Sequence, residues 1–191
     1  MWQYGRWKRL LDIFLVIWAS IALLPAFLLA AVLVTLDGGP AFYRQKRIGK
    51  DGRIFHIWKF RTMKLDAEKK LQEYLASNPA AAEEWRITQK LRNDPRMTPI
   101  GRVLRKTSID ELPQFINVLK GDMSLIGPRP MMPEQTDLYE GEDYVKQRPG
   151  ITGPWQISDR ANVTFAERAQ HDREYLKNRS LLNDLKILWK T

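Results

Sequence analysis

Residues 13–36 read IFLVIWASIALLPAFLLAAVLVTL, about 24 positions without one charge, and the reading of this run decides the fold class. A helix that crosses a bilayer needs ~20 consecutive apolar residues, so the length suffices. The run is too long for a secretory signal, and no small-x-small cleavage site leads from it into a polar chain. Pro25 sits near its middle, where it removes one helical hydrogen bond and crowds the preceding turn. Arg6, Lys8 and Arg9 precede the run; Arg44, Lys46, Arg47, Lys50 and Arg53 follow it. Positive flanks favour the cytoplasmic side of a membrane. A single span therefore breaks the rule at one end, whereas a helix that enters, bends at Pro25 and returns obeys it at both. The residues alone leave both topologies open. Trp2, Tyr4, Trp7 and Trp18 suit interfacial anchoring in either.

The other residues form a charged, foldable chain. The sequence has 191 residues, 31 Lys and Arg against 22 Asp and Glu, a formal net charge of +9, and 44% hydrophobic residues. That excludes wholesale disorder. The absence of Cys excludes disulfides, thiolate nucleophiles and Cys-ligated metals. Two histidines, His56 and His171, leave little for a histidine-based metal site. Any chemistry rests on carboxylates, Arg, Lys and hydroxyls. The organisation read here is α+β: a membrane-anchoring segment over 1–37, then a compact globular region over 38–191. That region combines a short β-hairpin with several amphipathic, interfacial helices.

Two strands, 41–48 and 53–63, are expected around the turn Gly49-Lys50-Asp51-Gly52. His56 is expected to fill half-buried space on the second. Residues 64–92 are helical in composition, broken at Asn78-Pro79, with Asn as N-cap and Pro at the first helical position. Trp85 would lie at headgroup level if these helices rest on a membrane. Thr98-Pro99 opens a short helix carrying Ile100, Val103 and Leu104 on one side. Residues 121–162, rich in Gly and Pro, read as loops wrapping a site. Thr164 and Glu167 form a capping-box pattern for a helix to about Asn178, and Ser180 caps another.

The chemically informative block runs from Arg105 to Pro130. Ser108 and Glu111 have capping-box spacing, and Gly121 suits the end of the same helix. Ile109, Leu112, Ile116 and Leu119 mark its expected buried face, with Asp110, Gln114 and Asn117 on another. Acids in a first helical turn are common because they complement the helix dipole. Here they stand beside Arg102, Arg105, Lys106 and Thr107, with Gly127-Pro128-Arg129-Pro130 downstream. Arginine forks match phosphate oxygens, adjacent carboxylates hold Mg²⁺, and an Asp can attack phosphorus.

Taken as blocks in this order, these stretches resemble the bacterial sugar transferase family, the monotopic phosphoglycosyl transferases. The resembling blocks are Lys59-Phe60-Arg61-Thr62-Met63; Asp94-Pro95-Arg96 with Gly101-Arg102; Arg105 to Gln114; Asn117 to Ser124; Gly127 to Pro130; and Arg148 to Gly153 through Trp155 to Arg160. The resemblance covers nearly the whole chain. It implies transfer of a sugar-1-phosphate from a UDP-sugar donor to a polyprenyl (undecaprenyl) phosphate acceptor, with release of UMP, as a first membrane step of bacterial glycan assembly. It further implies Asp110 as nucleophile and Mg²⁺ ligand, forming a covalent phosphosugar adduct, and Glu111 as base or positioning group. Arg105 and Arg129 would be phosphate clamps, Lys59 and Arg61 further phosphate-binding residues, and Arg160 a nucleotide contact. The implied location is the bacterial inner membrane, with the catalytic part on the cytoplasmic face and the helix broken at Pro25. The family often has Ser before that proline; this chain has Leu24, with Ser20 about one turn earlier.

Two other functions compete. A membrane-bound hydrolase of nucleotide diphosphosugars would release UMP without any lipid acceptor. A basic tethered module would bind anionic lipid or nucleic acid by charge alone. Nucleic acid is disfavoured, because the basic residues are interleaved with acids and no helix-turn-helix, zinc-finger or RNA-stacking pattern occurs.

Overall fold

The computed structural model describes residues 2–88, 91–157 and 165–191. Helix α1 (Trp2–Leu36) takes in the whole apolar run and continues through Pro25. The hairpin β1 (Phe42–Ile48) and β2 (Ile54–Phe60) follows, then α2 (Ala67–Ser77), α3 (Pro79–Thr88) and α4 (Pro99–Lys106). A 3₁₀ helix over Ile109–Gln114 leads into α5 (Phe115–Lys120). Next come β3 (Ser124–Ile126), a 3₁₀ turn over Pro133–Leu138, β4 (Gly150–Thr152), α6 (Phe165–Asn178) and α7 (Leu181–Lys190). The mixed helix-and-strand architecture and the hairpin are those expected. The chain forms two compact units, Met1–Leu24 with Arg44–Lys59 and Pro113–Thr191, and Pro25–Tyr43 with Phe60–Leu112. The division falls inside α1, between Leu24 and Pro25.

In the first unit, the start of α1 is docked by both apolar and polar contacts. Val16 packs with Phe55, Ile57, Val118 and Met123. Tyr4 and Lys8 each donate to the Asp184 carboxylate at 2.8 Å. Arg9 donates to the Val118 and Leu119 carbonyls at the end of α5. Asp12, almost fully buried, accepts from Ser124 Oγ at 2.7 Å and from the Leu125 amide at 3.2 Å. Past Asp12 the character of the helix changes: Phe14, Ile17, Trp18 and Ile21 are all exposed. Ser20 Oγ donates to the Val16 carbonyl at 2.6 Å, which leaves it no part in satisfying the Ile21 carbonyl freed by Pro25.

The loops expected over 121–162 contain a second sheet. Strands β3 and β4 pair in parallel, with Ser124 opposite Gly150 and Ile126 opposite Thr152. Two three-residue strands flanked by Gly and Pro carry no readable alternation. The pairing depends instead on close backbone approach. A Cβ on Gly150 would land on the Gly127 amide, and one on Gly153 on the Gly127 carbonyl. Helix α7 packs Ile187 against Ile126 and Tyr175, while Leu182, Leu185 and Trp189 (91% exposed) form an outward apolar stripe at helical spacing. Ser180 caps α7 as expected, accepting from the Asn183 amide. Helix α6 ends at Asn178, and its expected capping box lies outside the described residues. His56 is exposed on β2, so it fills no half-buried space.

In the second unit, the end of α1 supplies Ala30 and Val34 to a core shared with Phe60 and Leu104. The Phe27, Phe42 and Phe60 rings cluster at centroid distances of 5.0–6.0 Å. Arg61 is buried and staples this region, donating Nε to the Pro40 carbonyl at 2.9 Å and Nη2 to the Val34 carbonyl at 2.8 Å. The break at Asn78 is real: its Oδ1 accepts from the Ala81 amide, with Pro79 opening α3. Trp85 is half-buried, with the Arg96 guanidinium 4.9 Å from the centre of its ring.

Candidate functional site

In the second unit the carboxylate pair stands just past the end of α4. Thr98 Oγ1 caps that helix, accepting from the Gly101 amide at 2.9 Å. Gly101 is required at this point, because a Cβ there would overlap the Thr62 main chain. Thr62 in turn accepts from Arg105 Nε at 3.1 Å, which aims an otherwise exposed guanidinium. Gly101→Ala is expected to destabilise the fold by ~1–3 kcal/mol through this overlap. Because the backbone it displaces carries Thr62, activity should fall further than the stability loss explains. Thermal unfolding beside turnover at low temperature separates the two effects.

The chain leaves α4 through Ser108 at φ 57, a left-handed conformation uncommon outside glycine. An N-cap needs extended backbone, so the expected Ser108–Glu111 capping box does not define a helix start. Instead Ile109–Gln114 winds as 3₁₀ with Pro113 inside, and the α-helix begins only at Phe115. This alters which faces are covered. Asp110, Gln114 and Asn117 are 6%, 2% and 1% exposed, whereas Ile116 and Leu119 are 40% and 44% exposed. The expected assignment of faces is thus reversed for these residues. Asn117 explains part of it, within the first unit. Its Nδ2 donates to the His56 carbonyl at 2.8 Å and its Oδ1 accepts from the Trp58 amide at 3.0 Å, so it acts as an extra strand rung beside β2. Glu111 is half-buried.

Upstream, Asp94 and Arg96 form a two-pronged ion pair, with contacts of 2.8 and 2.6 Å. Burial raises the Asp94 pKa, but the Arg96 fork, the Arg96 amide and the nearby charges outweigh it and hold the carboxyl below its usual range. This pair fixes the segment that hydrogen-bonds to residues 62–64 and delivers Thr98 to the start of α4.

The first unit holds Lys59, half-buried on β2, and Arg129, exposed after the fully buried Pro128. The Arg129 guanidinium lies over the Trp155 ring at 5.3 Å, and that of Arg168 lies over the same ring at 4.3 Å. Two guanidinium groups on one indole make a flat cationic platform. The Trp155-Gln156 dipeptide carried a family resemblance, but the residues alone assigned Trp155 no role, and Arg168 gave no signal beyond its charge. One turn along α6, Asp172 accepts from the Tyr139 hydroxyl at 3.0 Å, and its Oδ1 accepts no hydrogen bond among the described residues. Burial pushes the Asp172 carboxyl up to about 7 against the opposing pull of Tyr139 and Arg168, with Asp143 adding to the rise. Arg160 lies outside the described residues.

The raised Asp172 value fixes the sign of a pH effect. The folded state holds this proton more tightly than the unfolded chain does. The stabilisation is complete below the unfolded carboxylate value and is lost as pH rises through about 7. Asp172→Asn, which keeps an acceptor for Tyr139, is expected to flatten the fall in melting temperature between pH 5 and pH 8. Parallel curves for the two proteins would contradict this.

Among the described residues no three His, Asp or Glu cluster as a protein-only metal cage. Mg²⁺ commonly uses one or two carboxylates and completes its shell with water and substrate phosphate oxygens, and Asp110 with Glu111 is the adjacent pair that would supply them.

Known proteins have similar sequences over nearly the whole chain. The family model described as bacterial sugar transferase matches residues 3–191. The exopolysaccharide production protein ExoY of Sinorhizobium fredii is 51% identical over 187 residues, covering 96% of this chain and 83% of that protein. The undecaprenyl-phosphate galactose phosphotransferase of Salmonella typhimurium is 46% identical, covering 96% of this chain but 39% of that protein. The UDP-glucose:undecaprenyl-phosphate glucose-1-phosphate transferase of Escherichia coli is 38% identical, with 96% and 39% covered. The match runs through both carboxylates, the arginine-bearing segments and the apolar helix alike, and so this chain, a transferase, belongs to the bacterial sugar transferase family.

Proposed function

We propose that this protein transfers a sugar-1-phosphate from a UDP-sugar to undecaprenyl phosphate at the cytoplasmic face of a bacterial inner membrane. The observation that carries the proposal is Asp110: a carboxylate 6% exposed, placed by a left-handed turn directly after the helix that carries the anchored Arg105. Asp110 attacks the sugar-side phosphorus of the donor. The bond from that phosphorus to the bridging oxygen breaks, and UMP leaves with the electron pair. A phosphate oxygen of the acceptor then attacks the same phosphorus, releasing the Asp110 carboxylate and giving polyprenyl-diphosphate-sugar.

Arg105 offers an oriented fork to phosphate oxygens as charge builds on them. In the first unit, Arg129 and Arg168 on Trp155 suit phosphate oxygens, and Lys59 adds a further cation. Arg61 serves by holding the end of α1 to the floor of its unit. Glu111 positions Asp110 or takes a proton. Asp110 with Glu111 would hold Mg²⁺, which when bound offsets the donor's diphosphate charge. The reaction is tested by UMP release from a panel of UDP-sugars with Mg²⁺, with and without undecaprenyl phosphate. Acceptor-dependent release supports the transferase. Release indifferent to acceptor, with no adduct on Asp110, favours a hydrolase.

Helix α1 is read as entering the membrane and returning. Its stretch up to Val16 packs on globular residues of the first unit, and its stretch from Ala30 on those of the second. The exposed apolar band lies between them, and Pro25 lies in that band. The outward Leu182, Leu185 and Trp189 suit contact with the same membrane. Single cysteines at Gly5, where a side chain meets nothing within 4 Å, and at Arg53 should both be labelled by an impermeant thiol reagent from the cytoplasmic side only. Labelling from opposite sides would mean a spanning helix.

A further inference from the structure

The first unit contains a cavity of about 310 Å³ that shares no residue with the site described above. It is walled by the first turns of α1, the turn after β1, Ser124 and Ile126 of β3, residues 146–148, and the end of α6. Seven of its lining side chains are Lys or Arg, against one carboxylate, Asp12. Both Asp12 oxygens already accept hydrogen bonds, from Ser124 and Leu125.

Structural duties account for some of these cations. Lys8 pairs with Asp184 at 2.8 Å. Arg9 and Arg148 both donate to carbonyls at the end of α5, where the helix dipole is negative. Carbonyls orient a guanidinium but do not neutralise it. Lys146 shares the Asp143 carboxylate with Arg173, so one negative charge serves two positive ones. With seven basic side chains against one carboxylate in the lining, and Lys50 and the half-neutralised Lys146 at its rim, the cavity is positive and favours an anion with several acceptor oxygens.

The position of the cavity on α1 narrows the choice of anion. At 1.5 Å per residue, Arg6 lies ~6 Å along the axis from Leu10. Trp7, Leu10, Phe14 and Trp18 are all more than half exposed, so the lipid-facing band begins beside the cavity. That is headgroup depth. We propose that this cavity binds the phosphate of an anionic bilayer phospholipid and so holds the start of α1 at a defined height. The proposal rests on α1 lying in a membrane and not on the transfer reaction.

The test uses the full chain in nanodiscs of phosphatidylcholine alone or mixed with phosphatidylglycerol, with Lys50→Glu/Lys146→Glu as the variant. Lys69→Glu/Lys70→Glu on α2 has the same charge change away from the cavity. Native mass spectrometry should find phosphatidylglycerol retained on the wild type and on the α2 variant. Retention should drop by about tenfold in the cavity variant, as expected for losing basic residues near an anionic phosphate. Phosphatidylglycerol should also raise the melting temperature of the first two proteins and not the third. Inorganic phosphate at millimolar concentration should reproduce neither effect. Equal retention by all three proteins would overturn the proposal. So would protection by inorganic phosphate without any from phosphatidylglycerol, or retention of undecaprenyl phosphate in place of the bulk lipid. Flotation with liposomes checks membrane placement separately, so failure there is distinguishable.

Discussion

Asp110→Asn should reduce UMP release by at least ~10³-fold, because the amide has no nucleophilic carboxylate with which to form the phosphosugar adduct. The fold should survive. Asparagine has nearly the volume of aspartate, so this 6% exposed site keeps its packing. The variant should therefore remain folded, with a cooperative thermal transition, while turnover collapses. Intact-protein mass spectrometry after incubation with donor alone should find the added phosphosugar mass on the wild type and not on the variant. Glu111→Gln, which leaves the nucleophile in place, should lose less, ~10²-fold. Full activity in Asp110→Asn would remove the carboxylate from the reaction and revive the reading of a charge-driven binding module.

The parts of this fold that were legible in the sequence are those whose residues act locally. The hairpin followed from alternation around the Gly49–Gly52 turn, and the break at Asn78 and the start of α4 from side-chain caps that the structure contains. The parts that were not legible depend on distant partners. Asn117 reads as a polar helix residue until its amide is seen pairing with the backbone of β2, 61 positions away. The parallel pair of Ser124–Ile126 with Gly150–Thr152 depends on glycines that let two backbones touch, which local pattern cannot register. Ser108 was misassigned because capping-box spacing is a statement about side chains, whereas its left-handed φ is a statement about backbone. For the site, the acidic pair and its arginines stood out by charge and by family resemblance. Trp155 beneath Arg129 and Arg168 did not, since a cation stacked on a ring leaves no mark in spacing.

The second large effect is structural. Asp184 is 1% exposed and accepts from Tyr4 at 2.8 Å, Lys8 at 2.8 Å and Tyr175 at 2.6 Å. Asp184→Ala leaves a mostly buried ammonium and two hydroxyls without their acceptor. Breaking such a pair from one side costs ~3–5 kcal/mol, a large share of a typical domain's stability. Denaturant unfolding in detergent should register that loss, and hydrogen exchange should speed up most along α7. Asp184→Asn keeps an acceptor for the hydroxyls and should lose less. Replacing both charges together, Lys8→Met with Asp184→Leu, should recover much of the difference because no lone charge remains. A loss below ~1 kcal/mol for Asp184→Ala would mean that the network is replaced by water at little cost.

The same network sets an order of events during synthesis. Tyr4 and Asp184 are 180 positions apart, so at ribosomal rates of ~5–20 residues per second roughly 10–40 s separate the appearance of the two partners. Throughout that interval the nascent helix carries Lys8 without the carboxylate that later neutralises it, and Asp12 lacks Ser124 for the first 112 positions after it. On the membrane reading proposed above, insertion of the apolar stretch precedes closure of the unit around its base. A translational pause before α7 emerges would lengthen the interval in which Lys8 waits for its carboxylate.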